Sequence, residues 1–261
     1  MSDPLFSVKD HVVLVSGGSR GIGRAIAAGF AQRGARVVIT GRQQDTLNQT
    51  AREISQGEST VQALVCDVLD GNRIEEVVEE IVGQYGQIDT LVNVAGINQR
   101  KPAIDYTEDE YDRIMGVNLK GAFVVSQRVG RHMLQRGSGS QINISSLNSH
   151  RTVSHLLPYA LSKIGMDQMT RALAMEWGQA GVRVNAIGPG FVETDLTRKV
   201  WQDKTMEDWR EANTPQRRIG KPEDMVGTAL FLASPASAYL TGQVIYVDGG
   251  MTAGRMWPFS A

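Results

Sequence analysis

The chain has 261 residues, and 27 Lys and Arg nearly balance 28 Asp and Glu; this fits one α/β domain spanning 1–261 and leaves no dense basic stripe for nucleic acid. Its single cysteine, Cys66, cannot close an internal disulfide, and no histidine pair has metal-ligand spacing, so neither a disulfide scaffold nor a metal centre is expected. The first residues lack a basic stretch followed by an apolar core, and no apolar run approaches the ~18 residues of a membrane span, which predicts a cytoplasmic chain without a membrane partner.

The first strand is predicted at 11–18 (HVVLVSGG), running into the turn SGGSRGIG at 16–23 and a helix at 23–34. Gly17, Gly21 and Gly23 have the spacing G-x-x-x-G-x-G. That spacing turns the chain tightly and presents amides and a helix N-terminus to a pyrophosphate. The second strand, 35–40, ends at Thr40 and Gly41, where an acid would accept hydrogen bonds from an adenosine ribose. Arg42 comes next, and Arg20 lies inside the glycine turn. Two guanidiniums without a competing carboxylate suit a ribose 2′-phosphate, which favours NADP (NADPH) over NAD, although Asp45 is near enough to keep NAD open.

Further strands are expected at 61–67, 88–96, 140–146, 182–190 and 243–250, with helical patterns between them, as at 71–86. Most of these runs are continuously apolar, as strands covered on both faces are. The alternation predicts an α/β fold, a doubly wound parallel sheet of about seven strands with helices on both faces. The polar segment 195–221 follows a strand end and is expected either as a substrate lid over the carboxyl edge or as an ordinary pair of surface helices.

In PYALSKIGM, 158–166, Tyr159 precedes Lys163 by one helical turn, so the two share a face. A phenol with its ordinary pKa near 10 is a poor base at neutral pH. An ammonium about 4 Å away, at an effective dielectric of about 20, favours the phenolate by up to about 4 kcal/mol, bringing the tyrosine into the range of general acid–base work. Ser146 ends the strand before this helix, where its hydroxyl could hold a carbonyl or alcohol while Tyr159 transfers a proton.

With these motifs in order, the chain resembles the short-chain dehydrogenases/reductases, which have a Rossmann fold, over essentially its whole length. The matching stretches are SGGSRGIG, CDV with Asp67, VNVAG with Asn93 and Gly96, VNLKG with Asn118, Ser146, YALSK, GPGFVET and VDGG. The resemblance implies that Tyr159 is the acid or base, that Lys163 lowers its pKa and binds the nicotinamide ribose, that Ser146 orients substrate, and that Asn118 helps hold a water in a proton relay. It implies cofactor contacts from Gly17, Ser19, Arg20, Gly21, Ile22 and Gly23 in the phosphate turn and from Arg42 beyond it. Asp67 and Val68 would meet the adenine, Asn93, Ala95 and Gly96 the adenosine ribose, and Pro189, Gly190, Val192 and Thr194 the nicotinamide end, beside Tyr159 and Lys163. Ser16 and Val94 stand where relatives carry a threonine and a second asparagine.

Within the family the likeness is greatest to gluconate 5-dehydrogenases and related sugar-acid and polyol dehydrogenases. Arg100 falls on the second arginine of a pair that those enzymes carry, the first being Gln99 here, and a guanidinium there could clamp a carboxylate. With Asn148, Ser146 and Tyr159 it forms the expected substrate set, the alternative being that Arg100, Asn148 and His150 are surface loop residues. A broad carbonyl reductase, a 3-oxoacyl thioester reductase and a dinucleotide-sensing scaffold without catalysis stay open as other readings. The resemblance also implies a homotetramer built through the Tyr159 helix and the helix before it. Ile164, Met166, Met169, Leu173 and Met175 exceed one core-facing stripe, and Met256, Trp257 and Phe259 are further candidates for subunit contact.

Overall fold

The computed structural model describes residues 3–55, 61–194, 197, 201 and 203–255, so Met256, Trp257 and Phe259 lie outside the described residues. Seven strands form: β1 (Val12–Ser16), β2 (Arg36–Gly41), β3 (Val61–Val65), β4 (Thr90–Asn93), β5 (Gly139–Ile144), β6 (Val182–Pro189) and β7 (Val244–Val247). They lie in the order β3-β2-β1-β4-β5-β6-β7 with every pairing parallel. Each expected apolar run supplies one strand, and the α/β doubly wound sheet is the observed fold.

The helices are α1 (Gly21–Ala31), α2 (Gln44–Ile54), α3 (Gly71–Tyr85), α4 (Glu108–Met115), α5 (Gly121–Arg136), α6 (Leu157–Trp177), α7 (Lys204–Asn213) and α8 (Val226–Ala233). Side chains alternate across a strand, so β1 feeds two cores. Val13 and Val15 pack with Phe30 of α1, Leu47 of α2 and Ala229 of α8. Val12 and Leu14 pack with Ile74 of α3, Val125 of α5 and Leu173 of α6. Local signals set the ends of several helices: the Asp70 carboxylate accepts from the N–H groups of Asn72 and Arg73 to start α3, and Gly86 ends it at φ 81°. Thr107 and Glu110 form a capping box at α4.

The chain changes direction across the sheet between β3 and β4, which places β1 beside β4. Their carboxyl ends, Ser16 and Asn93, are register partners and open the crevice where ligands of such sheets bind. Beneath that edge runs a buried polar chain. Asn93 and Asn143 are register partners on β4 and β5; Asn93 Nδ2 donates to Asn143 Oδ1 (2.9 Å) and to Ser126 Oγ (2.9 Å), and Asn143 Nδ2 donates to Thr170 Oγ1 (2.9 Å).

Among the described residues of the segment 195–221, Lys204–Asn213 form α7 and Trp201 is helical as well. The two ends of the segment meet: Val192 bridges Gly220, Glu193 N–H donates to Gly220 O (2.9 Å), and Gly220 N–H donates to Phe191 O (2.8 Å). Asn143→Ala would remove one of the two acceptors of the buried Asn93 amide and the donor to Thr170 Oγ1, which keeps its bond to Met166 O, so it should lower the unfolding free energy by about 2 kcal/mol in urea titrations.

Candidate active site

A cleft runs along the carboxyl edge of the sheet and holds about 1740 Å³ of space between protein atoms, solvent at its mouth included. One end is the glycine turn. Gly17 holds φ +89°, and a Cβ there would stand 2.5 Å from Ala95 N; a Cβ on Gly23 would stand 2.2 Å from Gly17 O. Only hydrogen fits at either position, so α1 starts hard against β1 and β4. No side chain caps α1, whose N-cap is Arg20, and its first N–H groups stay available to an anion.

Ser19, Arg20, Gly21 and Ile22 line this end, with Arg42 at the end of β2 and Asp67 and Val68 after β3. Asp67 is the only carboxylate among the described lining residues, and its Oδ1 accepts from Leu69 N–H (3.1 Å). Asp45 sits in the first turn of α2 and does not line the cleft. The donor set therefore fits a dinucleotide bearing an additional phosphate: amides and two guanidiniums, with no acid at the end of β2. Cys66 also lines the cleft, and burial pushes its thiol up to about 11, which leaves it protonated and inert.

Ser146, Tyr159 and Lys163 line the same cleft, as do Gly96, Pro189, Gly190 and Val192, while Ala95 and Thr194 line it beside Gly17 and Gly21 of the glycine turn. Ser146 leaves β5 in extended backbone, and its Oγ accepts from Asn148 N–H (3.1 Å). The Tyr159 phenol hydrogen-bonds to Ser146. Lys163 Nζ donates to the Ile144 carbonyl (2.6 Å) and lies 5.7 Å from the centre of the Tyr159 ring. Tyr159 and Lys163 thus share one face of α6, as their spacing requires.

The electrostatics differ from the simple expectation. Burial raises the Tyr159 phenol above its ordinary value, and the Ser146 hydrogen bond offsets part of that rise. Lys163 is itself brought down to about 8 by burial, against the opposing pull of Asp167, and its ammonium points at a carbonyl oxygen of β5 rather than at the phenol. The physical reason is desolvation, which penalises both charged forms when both groups are enclosed.

Three residues expected at the site stand beside it. Asn93 is committed to Asn143 and Ser126 on the inner face of the sheet and does not line the cleft. Gly23 serves helix–strand packing. Asn118 sits in a π-helical turn, Gly116–Lys120, of the kind that recurs at functional sites. Its Oδ1 accepts from Ile97 N–H (2.8 Å), and its Nδ2 donates to Ile97 O (3.0 Å) and Ser162 Oγ (3.0 Å). In this arrangement its side chain ties the 96–98 loop to α6.

Arg100 and Asn148 line the cleft as expected, and the Asn148 Oδ1 accepts from Val153 N–H (2.9 Å). His150 instead tilts against the Tyr246 ring, with 5.6 Å between centroids. Residues without a sequence signal also line the cleft, among them Asn98, Leu156, Phe191 and Trp201. Phe191 meets Trp201 and Trp209 edge-on, at 4.9 and 5.5 Å between centroids. Only the packing of 195–221 against the strand end brings these rings together.

The family model described as enoyl-(acyl carrier protein) reductase matches residues 17–252. The chain is a short-chain dehydrogenase/reductase. Members of this oxidoreductase family act on CH–OH groups. The chain is 37% identical over 253 residues to gluconate 5-dehydrogenase of Gluconobacter oxydans, covering 97% of this chain and 99% of that one. It is 40% identical over 244 residues to the 3-oxoacyl-[acyl-carrier-protein] reductase of Thermotoga maritima, covering 94% and 98%. Among solved structures, a gluconate 5-dehydrogenase from Burkholderia cenocepacia in complex with NADP and tartrate superposes with a TM-score of 0.92 at 35% identity, covering 96% of this chain and 98% of that one. Among the described residues no helix is long and apolar enough to cross a membrane, and no cluster of His, Cys, Asp or Glu could hold a metal ion.

Because the native Lys163 has a lower pKa than an unfolded lysine, the unfolded chain binds more protons between about 8 and the ordinary lysine value of 10.5. Stability from this group is therefore complete above the upper value and lost as pH falls through the lower one. Urea midpoints at pH 7.5 and pH 10 should show wild type gaining on Lys163→Met by an amount on the order of 3 kcal/mol.

Proposed function

We propose that this short-chain dehydrogenase/reductase transfers hydride between NADP(H) and the secondary alcohol or ketone of a sugar acid or polyol, in the manner of a gluconate 5-dehydrogenase. The observation that carries this reading is one continuous cleft with Arg20 and Arg42 at one end, and Ser146, Tyr159, Lys163 and Arg100 at the other. When bound, the nicotinamide supplies or accepts the hydride. Ser146 holds the substrate oxygen. Tyr159 gives that oxygen a proton as the carbonyl is reduced and removes it as the alcohol is oxidised. Lys163 provides the positive charge that favours the phenolate form, and its ammonium would help hold the nicotinamide ribose. Arg42 and Arg20 take the 2′-phosphate, and Arg100 takes a substrate carboxylate.

The Burkholderia relative's complex with tartrate, a small dicarboxylate, is in keeping with a carboxylate site at Arg100. The segment 195–221 acts as the lid: its stalk is pinned at Val192 and Gly220, and Trp201 reaches the cleft. A cytoplasmic homotetramer fits the same reading. Phe123 of α5 and Leu157, Leu161 and Ile164 of α6 are exposed and apolar, which suits burial against a second copy. A 3-oxoacyl thioester reductase is the second reading, favoured by the 40% identity to the Thermotoga maritima enzyme.

Turnover of NADPH with 5-ketogluconate, uncharged ketones and a 3-oxoacyl thioester separates the readings. Wild type should prefer the sugar acid, and Arg100→Ala should raise its KM about tenfold or more while leaving uncharged ketones within twofold, the loss expected for one charge-assisted contact. Preference for the thioester would overturn the sugar-acid reading. Arg42→Ala should raise the Kd for NADPH by about tenfold and that for NADH hardly at all, measured by titration of nicotinamide fluorescence.

A further inference from the structure

A buried carboxylate that the chemistry above does not use lies directly beneath the catalytic pair. Asp167 is one helical turn beyond Lys163 on α6, so the two share a face, and both are almost wholly buried. The Ser145 hydroxyl makes a short hydrogen bond to Asp167 Oδ1 and stands 3.5 Å from the Lys163 carbonyl. Ser145 is the residue between Ile144, whose carbonyl receives the Lys163 ammonium, and Ser146, whose hydroxyl meets Tyr159. Tyr246 of β7 is near enough to feel the Asp167 charge, and its phenol lies 3.1 Å from Ser149 Oγ. The carboxylate thus joins α6, the end of β5 and β7 at the one point where the catalytic side chains converge.

We propose that Asp167 is a positioning residue of the active site, a fixed negative charge that Lys163 faces and an anchor that holds, through Ser145, the strand end bearing Ser146. The inference rests on the reading of Tyr159 and Lys163 as the proton-transfer pair. A buried ammonium costs free energy unless an opposite charge accompanies it. Burial draws Lys163 down to about 8, and Asp167 opposes that fall. The other charged or titratable neighbours are Tyr159 and Arg171 of α6, Tyr246 of β7 and His150, whose ring rests on Tyr246. The groups brought up from β5 and from the π-helical turn, Ser145, Ser146 and Asn118 through Ser162, carry no charge. Among the described residues Asp167 is therefore the one acid acting on Lys163.

The test is the pH profile of kcat for NADPH-dependent reduction by the full-length protein. Asp167→Asn keeps the shape and an acceptor for Ser145 but removes the charge, so the ammonium is lost at lower pH. The alkaline limb, a property of the coupled Tyr159–Lys163 pair, should move down by about one pH unit. The loss of kcat at pH 9 should be at least ten times the loss at pH 6, while Asp167→Glu, which keeps the charge, should restore the position of the limb. Asp167→Ser is a second neutral variant, read by the same limb if the asparagine form fails to fold. Ser145→Ala keeps the charge and loses the anchor, so kcat should fall several-fold with the limb in place.

A limb that stays put in the folded neutral variants, with a uniform loss at every pH, would overturn the charge role, and full activity in Ser145→Ala would overturn the anchor. Tyr159→Phe, run alongside, should lose turnover by about a thousandfold while retaining NADPH fluorescence binding. Retained turnover there would defeat the underlying reading, whereas its loss beside an unmoved Asp167→Asn limb would defeat this inference alone.

Discussion

The site depends on enclosing the Lys163 ammonium beneath the carboxyl edge of a parallel sheet. An ion there must be compensated for the loss of water, and the fold does so from more than one direction: the Ile144 carbonyl at the end of β5 accepts its hydrogen bond, the Asp167 carboxylate one turn along α6 supplies opposite charge, and the Tyr159 ring one turn back lies 5.7 Å away. Each partner can be present only if α6 lies close along the ends of β5 and β6. That closeness in turn rests on small or polar contacts. Asn143 of β5 reaches Thr170 across that interface, and where α6 meets the π-helical turn a Cβ on Gly165 would stand 2.7 Å from Leu119.

The same enclosure explains why two tunable groups sit side by side. A phenol in water and an ammonium in water lie about equally far above neutrality. Burial pushes them apart, the phenol upward and the ammonium downward. The gap makes proton transfer responsive to whatever enters the cleft: a bound molecule that redirects the Lys163 ammonium from the Ile144 carbonyl toward the phenol would reverse part of the Tyr159 rise. The resting arrangement favours the protonated tyrosine.

Much of this was legible in the order of residues. The strands announced themselves because parallel strands covered on both faces are apolar throughout, and the glycine turn did so because Gly17 and Gly23 occupy points where a side chain would strike backbone. The pairing of Tyr159 with Lys163 followed from helical spacing alone. What spacing could not convey was depth. Asn93 looked like a ligand contact, but as the last residue of β4 it points into the sheet, where its register partner Asn143 claims it, and the following Ala95 and Gly96 reach the cleft instead. The direction of the Tyr159 shift also depends on enclosure by segments far away in sequence. Asp167 carried no signal, since a lone acid on a helix is usually solvated, and only the approach of Ser145 and Tyr246 from other strands gives it a role.

The pinning of Val192 to Gly220 has a consequence for how such an enzyme can change over time. A segment whose two ends are fastened together beside the strand end is a closed loop, and the entropy of closing a loop grows only with the logarithm of its length, about 0.6 kcal/mol for each doubling. Residues can therefore be inserted, removed or exchanged between those two points at little cost to the sheet, while Phe191 and Trp201 keep the loop's near side on the cleft. That segment and the folding of the sheet are thereby uncoupled: the stretch between the two pinned points can drift while the part that holds Lys163 in place stays as it is.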